Sequence, residues 1–402
     1  MVKNRELCRE RVPVSFTSQR GFRVGGTDAG RYEPAESQRN PHLAFVQAAK
    51  MPPGSAAVFG RRVMRDGSMK VGRQTTLRDQ ASLSGIGVHS GLPVTLTLHP
   101  ADAGSGIRFV RTCLPGGGER ELRADIHAVT ATEFATVLGD ASGPLVSTAE
   151  HVLAALRGLG VDNAVVEIDG PEAPIMDGSA APYVEAIDQI GLKILDKPRR
   201  YIRVLKPVAV AHGDAFGEIR PYSRGLRIEA EIEFEHPLIG RQALVLDCRP
   251  DTFRHQVARA RTFGFMRNVA ALWSAGYALG ASLENTLVVA DHRVLNPEGV
   301  RFPDEFIRHK VLDAIGDLAL AGAPLLGAYR SVRGGHKLNC AVISALLADT
   351  RAWAMVEAEP QRPFRGHAEG ATGRVAYEPG IRYPSSVIRK PLAATGALIT
   401  DP

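Results

Sequence analysis

The stretch Arg301-Phe-Pro-Asp-Glu-Phe-Ile-Arg-His-Lys-Val-Leu-Asp-Ala-Ile-Gly-Asp317 decides how the chain is read. Pro303, Asp304 and Glu305 suit a helix N-terminus, where a missing N–H is harmless and the dipole favours negative charge; Gly322 and Pro324 mark its end. At about 3.6 residues per turn, His309, Asp313 and Asp317 follow at i, i+4 and i+8 and share a face. Ile307, Val311, Leu312, Ile315 and Leu318 cover much of the remainder, so the helix is expected to be buried. Buried carboxylates and imidazoles are costly unless paired or bound to metal, and the polar stripe therefore needs a partner. From this face alone two readings stay open: a metal ion held by the i, i+4 His and carboxylate, or a satisfied His/Asp hydrogen-bond pair in a core.

Working outward, alternation of apolar and polar residues marks strands on both sides of this helix. In the first half it runs over Thr76 to Leu83, Pro93 to His99 and Ile107 to Val110, separated by Gly-rich turns. A helix over Ser147 to Leu156, closed by Gly158 and Gly160, precedes a strand over Asn163 to Ile168, and a second helix opens at Asp177 and runs to about Ile190. Lys197-Pro-Arg-Arg reads as a linker, after which alternation restarts over Tyr201 to Val210, Ala215 to Ile219, Leu226 to Phe234 and Gln242 to Leu246. A helix over Asp251 to Ala260, the helix at Asp304, a strand over Leu326 to Val332 and a helix from about Lys337 to Leu347 follow. Both halves thus run strands, helix, strand, helix, and each carries a histidine on the helix before its last strand: His151 and His309. The expected fold class is α+β, a duplicated unit with a site between the copies.

Composition bounds the rest. A chain of 402 residues with 44% apolar and 23% charged residues has room for two ordinary domains and lacks any apolar run of membrane-spanning length. The pI of 9.2 invites a nucleic-acid reading. Of 49 basic and 43 acidic residues, however, 12 and 6 fall in residues 1–68, leaving 37 of each, so the body is neutral and gives no argument for nucleic acid. Cys8, Cys113, Cys248 and Cys340 make no CxxC pair, which fits free thiols in a reducing compartment. Residues 1–68 lack hydrophobic periodicity and read as an N-terminal extension with no fold of its own, with Met69 as a natural start. The organisation expected is 69–196 as a first α+β domain, 200–349 as a second, and 350–402 as a Pro-, Gly- and Arg-rich tail.

Ser147-Thr-Ala-Glu150 matches the capping box, which alone would explain Glu150. It leaves His151 unexplained, an imidazole at the start of a Leu/Ala-rich helix near the junction of the halves. Two histidines and one aspartate make a three-ligand site with an open fourth position, the arrangement of catalytic zinc, and an adjacent Glu could take a proton from the attacking water. The chain also resembles the bacterial UDP-3-O-acyl-N-acetylglucosamine deacetylases, the zinc enzymes that commit lipid A synthesis in Gram-negative bacteria. The stretches that carry the resemblance are Gly85-Ile-Gly-Val-His-Ser-Gly91, Ser147-Thr-Ala-Glu-His151, Gly160-Val-Asp-Asn163, Gly170-Pro-Glu-Ala-Pro-Ile-Met-Asp-Gly-Ser-Ala180, Ala260-Arg-Thr-Phe-Gly-Phe265, Arg301 to Asp317, and Gly335-His336.

That resemblance implies zinc on His151, His309 and Asp313, with Fe²⁺ suited by the same ligand types. It implies Glu150 as general base, His336 held by Asp317 as the cation that stabilises the oxyanion and protonates the leaving amine, and Thr262 as a polariser of the acetyl carbonyl. Lys310, Phe263 and Phe265 fall on substrate-binding positions. The implied fold is two related two-layer α+β domains packed through their helices, with an insert in each. The second insert, at about 265–295 with Val269, Leu272, Trp273 and Leu279, would form an apolar passage for an acyl chain; a core reading of those residues stays open. The implied substrate is a UDP-sugar lipid. The enzyme would be a cytoplasmic monomer with no integral membrane segment, meeting the inner-membrane surface transiently. Arg333-Gly-Gly stands where the family commonly has Lys-Ser-Gly. Two other readings are carried: a zinc hydrolase of the amidase or peptidase type, although no HExxH is present, and a non-catalytic sugar-nucleotide-binding descendant.

Overall fold

The computed structural model describes residues 72–358. The extension read over 1–68 and the tail beyond 358 lie outside the described residues. The first half comprises β1 (Arg73–Leu77), β2 (Ala81–Ile86), β3 (Pro93–Pro100), β4 (Ile107–Arg111), β5 (Arg120–Arg123), β6 (Val129–Ala131), β7 (Val137–Asp140), β8 (Gly143–Val146), α1 (Glu150–Gly158), β9 (Ala164–Ile168), α2 (Ala181–Ile190) and β10 (Leu192–Pro198). The second comprises β11 (Arg200–Val204), β12 (Val208–His212), β13 (Ala215–Pro221), β14 (Leu226–Glu233), β15 (Arg241–Cys248), α3 (Pro250–Gln256), β16 (Phe263–Phe265), α4 (Val269–Ser274), β17 (Leu287–Val289), α5 (Glu305–Leu318), β18 (Leu325–Val332), α6 (His336–Ala348) and β19 (Trp353–Glu357).

The fold is α+β. A five-stranded sheet in the order β2-β3-β9-β4-β5 serves the first half, with β4 and β9 parallel and the other pairs antiparallel. Seven strands serve the second, centred on β18, which pairs antiparallel with β13 and parallel with β11 and β14. Alternation produces these sheets: Val94, Leu96 and Leu98 of β3 and Ala164, Val166 and Ile168 of β9 are buried, while the residues between them are not. One face of each sheet is therefore apolar and must be covered, and helices cover it: α5 lies on β14 and β15, and α6 on β12 and β13. The apolar core runs without a break through both halves.

The halves meet where α1 packs on α5. Twelve of the fourteen residues of α5 are buried, so the expected burial of the Arg301–Asp317 stretch holds. Gly316, inside α5, would ordinarily weaken a helix, but a Cβ there would fall 2.1 Å from the Glu150 carbonyl oxygen. The glycine is what lets the two backbones approach.

Several expected boundaries shift. Thr76 to Leu83 breaks into β1 and β2, because Arg78 and Asp79 are exposed and turn the chain; Tyr201 to Val210 breaks into β11 and β12 around Pro207. The proposed linker Lys197 to Arg200 is the join between β10 and β11, each paired to another strand. The tail does not begin at 350: β19 pairs antiparallel with β11 along its whole length. The small sheet β6-β7-β8, an insert of the first half, carries no run long enough to register as a periodic pattern. Cys248 and Cys340 are free thiols, and Cys8 lies outside the described residues.

Candidate active site

The α1–α5 junction brings the sequence-marked residues together. His151 is the second residue of α1, and His309 and Asp313 share one face of α5; all three are buried, with their ligand atoms within 4.8 Å of one another. Asp313 Oδ1 lies 3.3 Å from His309 Nε2 and 3.7 Å from His151 Nε2. His309 Nδ1 donates to the Ala260 carbonyl at 3.1 Å, which leaves its Nε2 as a lone pair aimed at the carboxylate. Burial drives His309 down to about 3 despite the pull of Asp313, so the ring is neutral. Asp313 is held well below the usual carboxylate range: burial opposes its charge, but the neighbouring cations, the Lys310 ammonium among them, outweigh burial. Its other oxygen, Oδ2, accepts from Lys310 Nζ at 2.9 Å.

Asp313 Oδ1 has no hydrogen-bond donor, and neither His151 Nδ1 nor this oxygen finds a partner although both are buried. A buried anionic oxygen facing an imidazole lone pair is repulsive unless a cation stands between them. The donor set, two imidazole nitrogens and one carboxylate oxygen, fits a divalent transition metal. The core-pair reading of the His309/Asp313 stripe leaves these atoms unexplained.

The capping box does not form. Helix α1 starts from Ala149 with no side-chain cap, since Thr148 takes a left-handed φ of 56° and redirects the chain. Glu150 is free of that duty and buried; its Oε2 accepts the Thr136 N–H at 3.0 Å. Burial pushes its carboxyl up, against the pull of His336 and His151. His336 stands at the start of α6, its Nε2 4.0 Å from Glu150 Oε1 and its Nδ1 donating to Asp317 Oδ2 at 3.0 Å. Burial opposes its charge, yet Asp317 and Glu150 outweigh burial and raise it to about 9, so it is an imidazolium near neutral pH. Asn339, one turn along α6, also donates to Asp317 Oδ2, at 2.8 Å, and is itself held by the Tyr329 hydroxyl.

The remaining sequence-marked residues lie on β16, just before it, on α5 and on the segment that follows β16. Arg261, fully buried, binds Glu305 at the start of α5 through its N–H and Nε, fixing the chain from Ala260 to Phe265 beside His309. Thr262 is placed by its N–H to the Gly178 carbonyl and its own carbonyl to the Leu287 N–H. Phe263 stacks edge-on with Phe306 and His309 and lies under the Lys310 ammonium; Phe265 contacts Phe234 and His236. Beyond them, α4 buries none of its residues: Trp273 and Leu279 are 57% and 55% exposed. The core reading thus fails for Trp273 and Leu279, whereas Val269 and Leu272 are half-buried and Leu287 and Val289, later in the segment, belong to the core. The loop Gly87–Gly91 closes on it, with the Leu279 N–H donating to the His89 carbonyl and Tyr277 against the His89 ring. Arg333, at the departure from the usual pattern, pairs with Glu233 and Asp214. Sequence reading missed Thr136, Asn339 and Tyr329; only Asn339 left a signal, three residues after His336 on one helix face.

A metal-dependent hydrolase is the class of protein with a use for this junction, since a cation beside one proton acceptor and one proton donor is what amide cleavage needs. The family model described as LpxC, UDP-3-O-acyl N-acetylglycosamine deacetylase, matches residues 74–348. Proteins of Brucella ovis and Brucella canis named UDP-3-O-acyl-N-acetylglucosamine deacetylase are each 49% identical over 286 residues, which is 71% of this chain and 99% of theirs. One of Brucella melitensis matches to the same extent. The chain belongs to this family of deacetylases.

Proposed function

We propose that this protein removes the N-acetyl group from UDP-3-O-(3-hydroxyacyl)-N-acetylglucosamine, releasing acetate in the committed step of lipid A synthesis, with zinc on His151, His309 and Asp313. The observation that carries this reading is the junction itself, where ligand atoms from both halves meet within 4.8 Å while a carboxylate and an imidazolium flank them. Zinc held by these residues would supply Lewis acidity, polarising the acetyl carbonyl and acidifying the attacking water. Everything else is the work of side chains.

Glu150 must be ionised to accept the proton of the attacking water; burial raises its carboxyl, and His336, 4.0 Å away, pulls it back toward the charged form. As negative charge grows on the acetyl oxygen, the His336 imidazolium stabilises it and then gives its Nε2 proton to the departing amine; Asp317 keeps the ring charged and in orientation. Thr262 helps polarise the acetyl carbonyl. Lys310, Phe263 and Phe265 contact the sugar nucleotide and the root of the acyl chain, and the exposed apolar insert around Trp273 and Leu279 encloses the rest of it. The halves 69–196 and 200–349 act as two domains that share one site, so neither is competent alone. No helix among the described residues is long and apolar enough to cross a membrane, and we place the enzyme in the cytoplasm as a monomer, reaching its lipid at the inner-membrane surface. The decisive experiment is acetate release from UDP-3-O-(3-hydroxyacyl)-GlcNAc with and without a chelator. Turnover that survives complete metal removal would overturn the reading.

A further inference from the structure

Glu150 and Asp317 stand on α1 and α5 and His336 on α6, so the proton acceptor and the proton donor come from different halves of the chain. One residue touches all three. Thr136, fully buried just before β7, donates its N–H to Glu150 Oε2 at 3.0 Å and accepts the Ala149 N–H on its carbonyl at 3.2 Å. Its hydroxyl donates to Asp317 Oδ1 at 2.6 Å and lies 3.2 Å from His336 Nδ1.

We propose that Thr136 is a positioning residue for the deacetylation: its N–H aims Glu150, and its hydroxyl locks the Asp317 carboxylate so that Oδ2 faces His336. The inference rests on the base and acid roles given above to Glu150 and His336. A carboxylate can rotate about its Cβ–Cγ bond, and its two oxygens are equivalent until donors distinguish them. Asp317 Oδ2 receives both His336 and Asn339, while Oδ1 receives Thr136. Without the hydroxyl, Oδ1 is a buried anionic oxygen lacking this donor, and the carboxylate turns to share the two donors that remain. His336 then loses its fixed orientation, and catalysis is sensitive to misplacements of about 1 Å. Threonine suits the task because its branched Cβ restricts χ1, whereas serine would leave the hydroxyl freer. The backbone is constrained on both sides of the contact, with left-handed φ values of 62° at Phe134 and 56° at Thr148. The small sheet β6-β7-β8 thus acquires a purpose, as the arm that carries Thr136 into the junction.

The test uses the metal-loaded full chain and the UDP-sugar substrate, with kcat, KM and metal content measured for Thr136→Val, Thr136→Ser, Asp317→Asn and the Val/Asn double variant. Valine keeps shape and branching but removes the hydroxyl, so kcat should fall by roughly tenfold to a hundredfold with KM within about twofold and a full metal equivalent retained. Serine should recover most of the rate. In the Asp317→Asn background the valine substitution should cost less than about threefold, because the group it acts through is gone. A valine variant with parental kcat, one that loses metal in step with rate, or a penalty undiminished in the double variant would each overturn the inference. Should valine prevent folding, Thr136→Ala is judged by the same criteria. Glu150→Ala and His336→Gln run alongside: if these keep their rate the base and acid assignment itself fails, whereas if they lose it and Thr136→Val does not, only the role of Thr136 falls.

Discussion

The helix junction and the α4 insert break the usual rule of protein interiors in opposite directions. At the junction Glu150, His151, His309, Asp313 and Asp317 are buried, ionisable groups where apolar side chains would cost less. Around α4, Met266, Trp273 and Leu279 are more than half exposed, large apolar groups where charge would cost less. The difference separates the two requirements of the reaction. Chemistry needs charges held in a dry, rigid place, so they sit between two helices brought together by Gly316. On the proposed function, grip on a long apolar chain needs uncovered surface that can be buried on binding, which α4 and the residues flanking it offer. The junction should therefore respond to substitution in kcat and metal content, and the insert in KM.

The largest effect should come from the ligands. His309→Ala, and likewise His151→Ala or Asp313→Ala, removes one of three donors, and rate should fall to background as metal content falls with it. Elemental analysis beside the acetate assay checks this; a full zinc equivalent on an inactive His309→Ala would contradict the ligand set. Next in size, Glu150→Ala should lower kcat by about 10² to 10⁴ with metal retained. Because no capping box forms, any change in its thermal unfolding should come from the buried Thr136 N–H left without its acceptor rather than from a broken cap.

Asp317→Asn should act chiefly on the pH profile. Asp317 and Glu150 raise His336 from 6.5 to about 9, so the parent enzyme should keep its acid charged through neutral pH and lose rate on the alkaline side near that value. Removing the Asp317 charge should move the alkaline limb to lower pH and reduce the maximum, with metal content unchanged; an unmoved limb would sink the role of His336. The same shift has a sign for stability. A raised imidazole pKa stabilises the fold fully below about 6.5 and loses that contribution as pH rises through about 9.

The smallest effect should be at the insert. Trp273→Ser or Leu279→Ser should raise KM by about tenfold for a long-chain substrate, as expected for losing part of a buried apolar side chain, with kcat and melting temperature near parental. A fall in kcat with unchanged KM would erase the contrast between the two regions. Comparing a short-chain substrate sharpens it, because the penalty should vanish with the chain.

Period and local chemistry alone determined much of this. The i, i+4, i+8 spacing of His309, Asp313 and Asp317 follows from helix geometry, and alternation in β3, β9 and β14 follows from the two-residue repeat of a strand, so the main elements and the polar stripe were legible. The pairing of Ser147 with Glu150 was misread for a local reason: the capping-box pattern is present, but the left-handed turn at Thr148 and the Thr136 N–H claim the carboxylate. Short strands such as β6 and β7 fell below the length at which a period can be counted. What only the tertiary structure decided was which polar atoms lack a donor and which have one too many competitors. Thr136 lies 181 residues from Asp317 and 200 from His336, and no local pattern registers contacts that depend on where two helices and a small sheet come to rest.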